Sequence, residues 1–202
     1  MDQSSITPFS VAILAGGQSR RMGQNKALMR LGGMSILQWE INAVKGLTPD
    51  LFLVTNSPQI YTPFNIPTIP DVVPGKAALG GIYTALTYAK HNWVLVLACD
   101  MPLLNPAIIT FLAQQRQEAD AVIPLVGNHP ETLHAFYHKR CIPAVQKRIS
   151  ANKLKVIDFF NEVQVRYVNK EALQAITPDF DYLINLNTPA EFQRLEGIIA
   201  KK

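Results

Sequence analysis

VAILAGGQSRRMGQNKAL, residues 11–28, decides the fold. Val11-Ala12-Ile13-Leu14 is an apolar run of strand length, and behind it come Gly16-Gly17 and then Arg20, Arg21 and Lys26. A core element does not carry that density of glycine and charge, so the strand ends here and a loop begins. Glycine lets the chain turn sharply and brings bare backbone up to a ligand. Successive backbone N–H groups in such a loop form an anion nest, and the arginines and lysine add positive charge. In open parallel sheets ligands collect at the carboxyl ends of strands, which is where this loop stands. The stretch therefore reads as a phosphate-holding turn. The plainer alternative is a strand-to-helix connection whose basic residues face solvent. Two well-known phosphate loops do not match: Lys26 lacks the Ser/Thr and spacing of GxxxxGK[ST], and the glycines are not spaced as GxGxxG.

Working outward, apolar runs alternate with segments of helical period. Ser35 caps an expected helix over 36–46. LFLVT (51–55) reads as a strand, with a shorter one at 66–69 and a helix over 79–90. WVLVLA (93–98) is apolar at every position, as a strand covered on both faces is. Asn105-Pro106 opens a helix to about 117. This order predicts an α/β fold, a mostly parallel sheet with helices on both faces. Beyond it come expected strands at 121–126, 133–138 and 164–168 and helices over 142–151 and 155–161. Thr188-Pro189-Ala190-Glu191 is a capping box that opens a terminal helix with Phe192, Leu195 and Ile199 turned inward. The reading is one domain, with a nucleotide-binding half at about 8–118 and a substrate-binding half at about 119–202.

The chain has 202 residues, 48% hydrophobic and 17% charged, with a net charge of +4. That composition buries a core. The mild positive excess suits anionic small molecules and, having no basic run or stripe, argues against nucleic acid. The two cysteines, Cys99 and Cys141, form no CxxC, against a disulfide scaffold or a structural zinc. No secretory leader and no membrane span is evident, so a soluble cytoplasmic protein is expected.

Leu14-Ala15-Gly16-Gly17-Gln18-Ser19-Arg20-Arg21-Met22-Gly23-Gln24-Asn25-Lys26-Ala27-Leu28 resembles the LAGGxSxRMGxxKAL signature of the MobA family, the molybdenum cofactor guanylyltransferases. Asp71-Val72-Val73-Pro74-Gly75 with Leu79-Gly80-Gly81-Ile82 resembles D…PGxGPLxGI, Cys99-Asp100-Met101-Pro102 resembles CDMP, Pro130–Ala135 resembles EPLHA, and Leu186–Pro189 resembles NINTP. The pieces stand in family order across most of the chain. One departure is Lys76-Ala77-Ala78, where the pattern has xGP. The resemblance implies a Rossmann-like nucleotidyltransferase that moves GMP from GTP to molybdenum–molybdopterin, releasing pyrophosphate and forming the guanine dinucleotide cofactor. It implies Mg²⁺ on Asp100, and proteins that deliver the molybdopterin and accept the product. The catalytic residues would be Arg21, Lys26 and Asp100. GTP would be held by Leu14, Ala15, Gly16, Gly17, Lys26, Asn56, Asp71 and Asp100. Lys26 would face the α-phosphate, and Arg21 the β- and γ-phosphates.

Read as residues alone, several of these positions stay open. Asp100 follows the central strand, with Pro102 close behind and the next helix several residues on, so capping is not its obvious task. Asp71 is a nucleotide contact or a turn former before Pro74-Gly75. Asn56 is a contact or a strand-ending turn residue. Asn187 reaches the metal site from a last strand or is a loop residue ahead of Thr188. His129, His134 and His138 fit surface or substrate-facing roles better than a metal site, and by resemblance His134 shapes the second substrate pocket. Lys139, Arg140, Lys147, Arg148, Lys153 and Lys155 meet an anionic acceptor or form a solvated face. No GxSxG and no Cys/His nucleophile arrangement is present. A phosphate nucleophile is already an anion and needs positioning and charge neutralisation rather than a strong base. The rivals are a CTP-using sister, whose loop tends to read LAAG, a sugar-phosphate nucleotidyltransferase, and a non-catalytic nucleotide or cofactor binder.

Overall fold

The computed structural model describes residues 7–16, 25–179 and 181–200. In chain order the first half holds β1 (Phe9–Leu14), the hairpin β2 (Arg30–Leu31) and β3 (Met34–Ser35), α1 (Ile36–Val44), β4 (Leu51–Val54), β5 (Thr68–Ile69), α2 (Ala77–Tyr88), β6 (Trp93–Ala98) and α3 (Pro106–Gln114). The second holds β7 (Ala121–Val126), β8 (His129–Pro130), β9 (His134–His138), α4 (Ile142–Ser150), β10 (Val165–Val168), α5 (Lys170–Gln174) and α6 (Pro189–Ile199).

The strands run β10-β7-β9-β6-β1-β4-β5, with β8 added on β7. β6, β1, β4 and β5 are parallel, β9 is antiparallel to both β6 and β7, and β10 is parallel to β7. One sheet thus joins both halves, and β9 is its splice. Because β9 is reversed, its first residues lie at the carboxyl end of β6.

Strand alternation builds two cores. Val11 and Ile13 of β1 and Leu95 and Leu97 of β6 point to one face, where Leu37, Ile41 and Val44 of α1 and Ile108 and Leu112 of α3 cover them. Ala12, Val94 and Val96 point to the other, under Ile82 and Leu86 of α2 and Val145 and Ile149 of α4. This is why β6 is apolar throughout. α2 tolerates its two glycines because they let it sit tight: a Cβ on Gly81 would come within 2.8 Å of Leu14 Cδ1, and one on Gly80 within 3.1 Å of the Val73 carbonyl. α6 closes a third, smaller core, with Leu195 fully buried against Leu31, Ile36, Leu103 and Leu186.

The caps read from sequence are present: Ser35 accepts from Gln38 N, Asn105 from Ala107 N, and Thr188 and Glu191 form the capping box. Other expectations shift. α2 begins at Ala77, ahead of residue 79. The segment expected as a helix at 155–161 is a 3₁₀ stretch, Val156–Glu162. The hairpin at 30–35, a 3₁₀ stretch at Pro58–Phe64 and α5 were not foreseen. All three are too short for a hydrophobic period to register. The hairpin turns through Gly32 and Gly33, both at positive φ.

Candidate active site

Gly16 follows β1, Asn56 follows β4, Asp71 follows β5 and Asp100 follows β6, so four parallel strands deliver their sequence-nominated residues to one edge of the sheet. A Cβ placed on Gly16 would meet nothing within 4 Å, so open space borders the turn. Gly17, Arg20 and Arg21 lie outside the described residues. What holds the two ends of their loop is visible. Tyr61, from the 3₁₀ stretch, donates its hydroxyl to the Ala15 carbonyl at 3.1 Å and accepts from Asn25 Nδ2 at 2.9 Å. Asn25 in turn caps the short 3₁₀ helix Lys26–Leu28 by accepting from Ala27 N. Tyr61 is only 2% exposed and was not foreseen. A single tyrosine between two prolines gives no pattern to read.

Lys26 Nζ donates to Asn187 Oδ1 at 2.6 Å and stands 3.7 Å from Asp100 Oδ2. Three distant segments meet in these three side chains. Asn187 is a loop residue rather than the end of a last strand, because its neighbours close the α6 cap: Glu191 Oε2 accepts from the backbone N–H groups of both Asn187 and Thr188. The loop is also tied to the metal candidate's own backbone, since Leu186 N donates to the Asp100 carbonyl at 2.8 Å. Burial raises the Asp100 carboxyl above its usual range; Lys26 opposes that rise, and Glu191 adds to it.

Beneath Asp100 lies Glu40 of α1, fully buried. One carboxyl oxygen accepts from Met101 N at 2.9 Å and the other has no partner among the described residues. Desolvation holds this acid well above its ordinary value. The Met101 N–H opposes the rise, and the Asp100 charge adds to it. Glu40 thus fixes the backbone just after Asp100 through its bond from Met101 N. Its sequence signal was a lone charge inside the inward stripe Ile36, Leu37, Ile41 and Val44. Burial likewise pushes the Cys99 thiol up, which argues against a reactive thiolate there.

At the other side of the edge, Asn56 Oδ1 accepts from Asp71 N at 2.9 Å. Asp71 meets Thr84 Oγ1 of α2 at 3.3 Å, and Thr84 accepts from Val72 N at 3.0 Å. Burial raises the Asp71 carboxyl, with Thr84 and Asn56 pulling it back. Asp71 and Asn56 thus order each other and the 71–76 turn as well as facing the edge. Just after that turn the departure from the family pattern has a structural cost, because Ala77, the first residue of α2, sits at φ +49°, in the left-handed region.

The second half corrects one expectation. His134 is neither a surface nor a substrate-facing residue. It is fully buried, its ring meets Tyr182 edge-on at 5.7 Å, and burial drops its pKa to about 4. No group of three or more His, Cys, Asp or Glu side chains among the described residues could hold a metal ion. The basic residues divide. Arg140 pairs with Asp120, Lys147 and Arg148 with Glu162, and Lys139 donates to the Ala89 carbonyl. Those four are committed to structure.

A family model for the MobA-like NTP transferase domain matches residues 11–165. The chain belongs to this family. Its relatives include proteins named probable molybdenum cofactor guanylyltransferase. The one from Carboxydothermus hydrogenoformans is 39% identical over 96% of this chain and 98% of its own. The one from Pelotomaculum thermopropionicum is 35% identical over 89% and 87%. Among solved structures, the molybdopterin-guanine dinucleotide biosynthesis protein A of Archaeoglobus fulgidus superposes with a TM-score of 0.86 at 25% identity, over 96% of this chain and all of that one. The matched region contains Gly16, Lys26, Asn56, Asp71 and Asp100. No helix among the described residues is long and apolar enough to cross a membrane.

Proposed function

We propose that this MobA-like transferase moves GMP from GTP to the phosphate of molybdenum–molybdopterin, giving the guanine dinucleotide cofactor and pyrophosphate. The observation that carries the reading is the meeting of Lys26, Asp100 and Asn187 beside the open turn at Gly16. A buried-edge lysine and carboxylate at the carboxyl end of a parallel sheet suit a polyphosphate and its counter-ion. In the reaction an acceptor phosphate oxygen attacks the α-phosphorus, and the bond to the β-phosphate oxygen breaks in line. Lys26 stabilises the α-phosphate under attack, and Arg21 of the motif screens the departing β- and γ-phosphates. By resemblance Leu14, Ala15, Gly16 and Gly17 would contact the nucleotide, and Asn56 and Asp71 stand at the same edge of the sheet. Gly16 stands where LAAG loops carry alanine, and the missing side chain favours guanine over cytosine.

The donor set suits a divalent ion that arrives with the nucleotide. With no acidic or histidine cage among the described residues, Asp100 would be the protein's ligand and phosphate oxygens would fill other positions, as Mg²⁺ prefers. When bound, Mg²⁺ would neutralise charge developing on pyrophosphate. Lys26, 3.7 Å from that carboxylate, would face the phosphate beside it. The reading carries with it a cytoplasmic enzyme that receives molybdopterin from a delivery protein and passes its product to an acceptor enzyme.

The test is thermal stabilisation by GTP, CTP, ATP and UTP, with Mg²⁺ and with chelator, followed by pyrophosphate release on adding molybdopterin. A shift selective for GTP and dependent on Mg²⁺ supports the reading, since a ligand of the folded state raises its stability by mass action. A CTP-selective shift replaces it with the cytidylyl alternative, and no shift with any nucleotide refutes it.

A further inference from the structure

We infer that Glu40 is a positioning residue for Asp100: from α1 it clamps, together with the loop before α6, the one peptide group that follows Asp100, and so sets the direction in which the Asp100 carboxylate meets the divalent ion of the nucleotide. This rests on the reading of Asp100 as the protein's Mg²⁺ ligand. The Asp100–Met101 peptide is held at both of its polar atoms by distant segments. Its carbonyl oxygen accepts from Leu186 N at 2.8 Å, and its N–H, on Met101, donates to Glu40 Oε1 at 2.9 Å. A trans peptide is planar, so bonds at both the oxygen and the N–H leave it little freedom to tilt. On the other side of Asp100, β6 ends at Ala98, in register with Leu14 of β1 and with Ala98 N donating to the Leu133 carbonyl at 3.0 Å. Asp100 thus stands between a fixed strand end and a pinned peptide.

The clamping segments are themselves anchored. Ile36 at the start of α1, Leu103 just beyond the pinned peptide and Leu186 in the loop before α6 are buried in the same small core, and Leu37, Ile41 and Val44 hold α1 to the sheet. Met101 is buried, so its N–H cannot turn to water if the Glu40 oxygen is removed. Position 40 also runs against its surroundings. It falls on the inward stripe of Ile36, Leu37, Ile41 and Val44, where a leucine would complete the apolar face. The chain instead buries a carboxyl whose second oxygen has no partner among the described residues. Such burial is destabilising, and local rules are broken in this way chiefly at functional sites. Being fully buried, Glu40 does not reach substrate or ion; it acts through the peptide it holds.

The test compares the full chain with Glu40→Leu, which offers no acceptor, and Glu40→Gln, which keeps one for the Met101 N–H. Two readouts need no turnover: amide hydrogen exchange over residues 99–103, and the Mg²⁺ concentration that half-develops the thermal shift given by GTP. Removing a group that orients a metal ligand typically weakens metal binding by about ten- to a hundredfold. Faster exchange over 99–103 and a Mg²⁺ midpoint raised about tenfold or more in Glu40→Leu, both restored in Glu40→Gln, with the GTP shift in chelator alike in all three proteins, support the proposal. Unchanged exchange in Glu40→Leu overturns it, and so does faster exchange with an unchanged midpoint. A Glu40→Gln protein as impaired as Glu40→Leu overturns it as well, because the acceptor for Met101 would not be what matters. Glu40→Met, of similar length, takes the place of Glu40→Leu if that variant does not fold. A wild type whose GTP shift ignores Mg²⁺ overturns the proposal together with the reading of Asp100 beneath it, whereas a Mg²⁺-dependent wild type with an unmoved Glu40→Leu overturns the proposal alone.

Discussion

Acidification should unfold this protein partly through His134. The ring is fully buried, neither nitrogen has a hydrogen-bond partner among the described residues, and burial lowers its pKa from 6.5 to about 4. The unfolded chain therefore binds a proton near pH 6.5 that the folded chain refuses until about pH 4. Stability from this group is complete above the unfolded value and is lost as pH falls towards the folded one. Linkage puts the loss at about 2 kcal/mol between roughly pH 7.5 and 5 and about 3 kcal/mol by roughly pH 4. For a chain of this size about 2 kcal/mol is a drop of about 4–8 °C in Tm. Other carboxylates titrate in the same range, so the comparison is with His134→Phe, which keeps a ring against Tyr182 and removes the proton site. Urea unfolding of both proteins across that range should show the wild type losing about 2 kcal/mol more than the variant by roughly pH 5. Parallel loss in the two would refute the claim that His134 is held neutral by its burial.

Ala77→Gly relieves a left-handed alanine at φ +49° and should raise stability by about 1 kcal/mol after glycine's own entropic cost, read as a Tm increase. Tyr61→Phe removes the link between Ala15 and Asn25 at the two ends of the glycine-rich loop. It should cost about 1–3 kcal/mol in unfolding free energy and raise KM for the nucleotide; an unchanged KM would mean the loop does not depend on that tie. Asp100→Ala should abolish turnover with little change in Tm, since its ion pair with Lys26 is partly exposed; retained turnover would sink its role. Lys26→Ala should lower kcat far more than it weakens pterin binding, measured by single-turnover transfer alongside pterin titration, and the reverse pattern would contradict an α-phosphate contact.

Much of the first half was legible because its signals are local. An all-apolar WVLVLA bounded by turns reads as a strand covered on both faces, and Ser35, Asn105 and Thr188 mark helix starts by their own hydrogen-bonding chemistry. Lys26 and Asp100 were nominated by the motif resemblance, and the fold brings them together at one edge. What period and motif did not carry was everything that depends on which segments meet. The reversed β9 that joins the halves, the 3₁₀ segment that supplies Tyr61, and the commitment of Arg140, Lys147 and Arg148 to structural pairs are long-range facts.

The sequence by itself determined the parallel half, its helix caps and the nature of the chemistry at the strand ends, because strand period, cap geometry and phosphate-binding turns are written within a few residues. Only the tertiary structure decided that Asn187 meets Lys26 across the site, that Glu40 supports Asp100 from below as a buried acid, and that His134 belongs to the core. Each of those depends on burial and on contacts between distant segments. A side chain's environment, and with it its charge state, is set by the packing of elements that no local pattern relates.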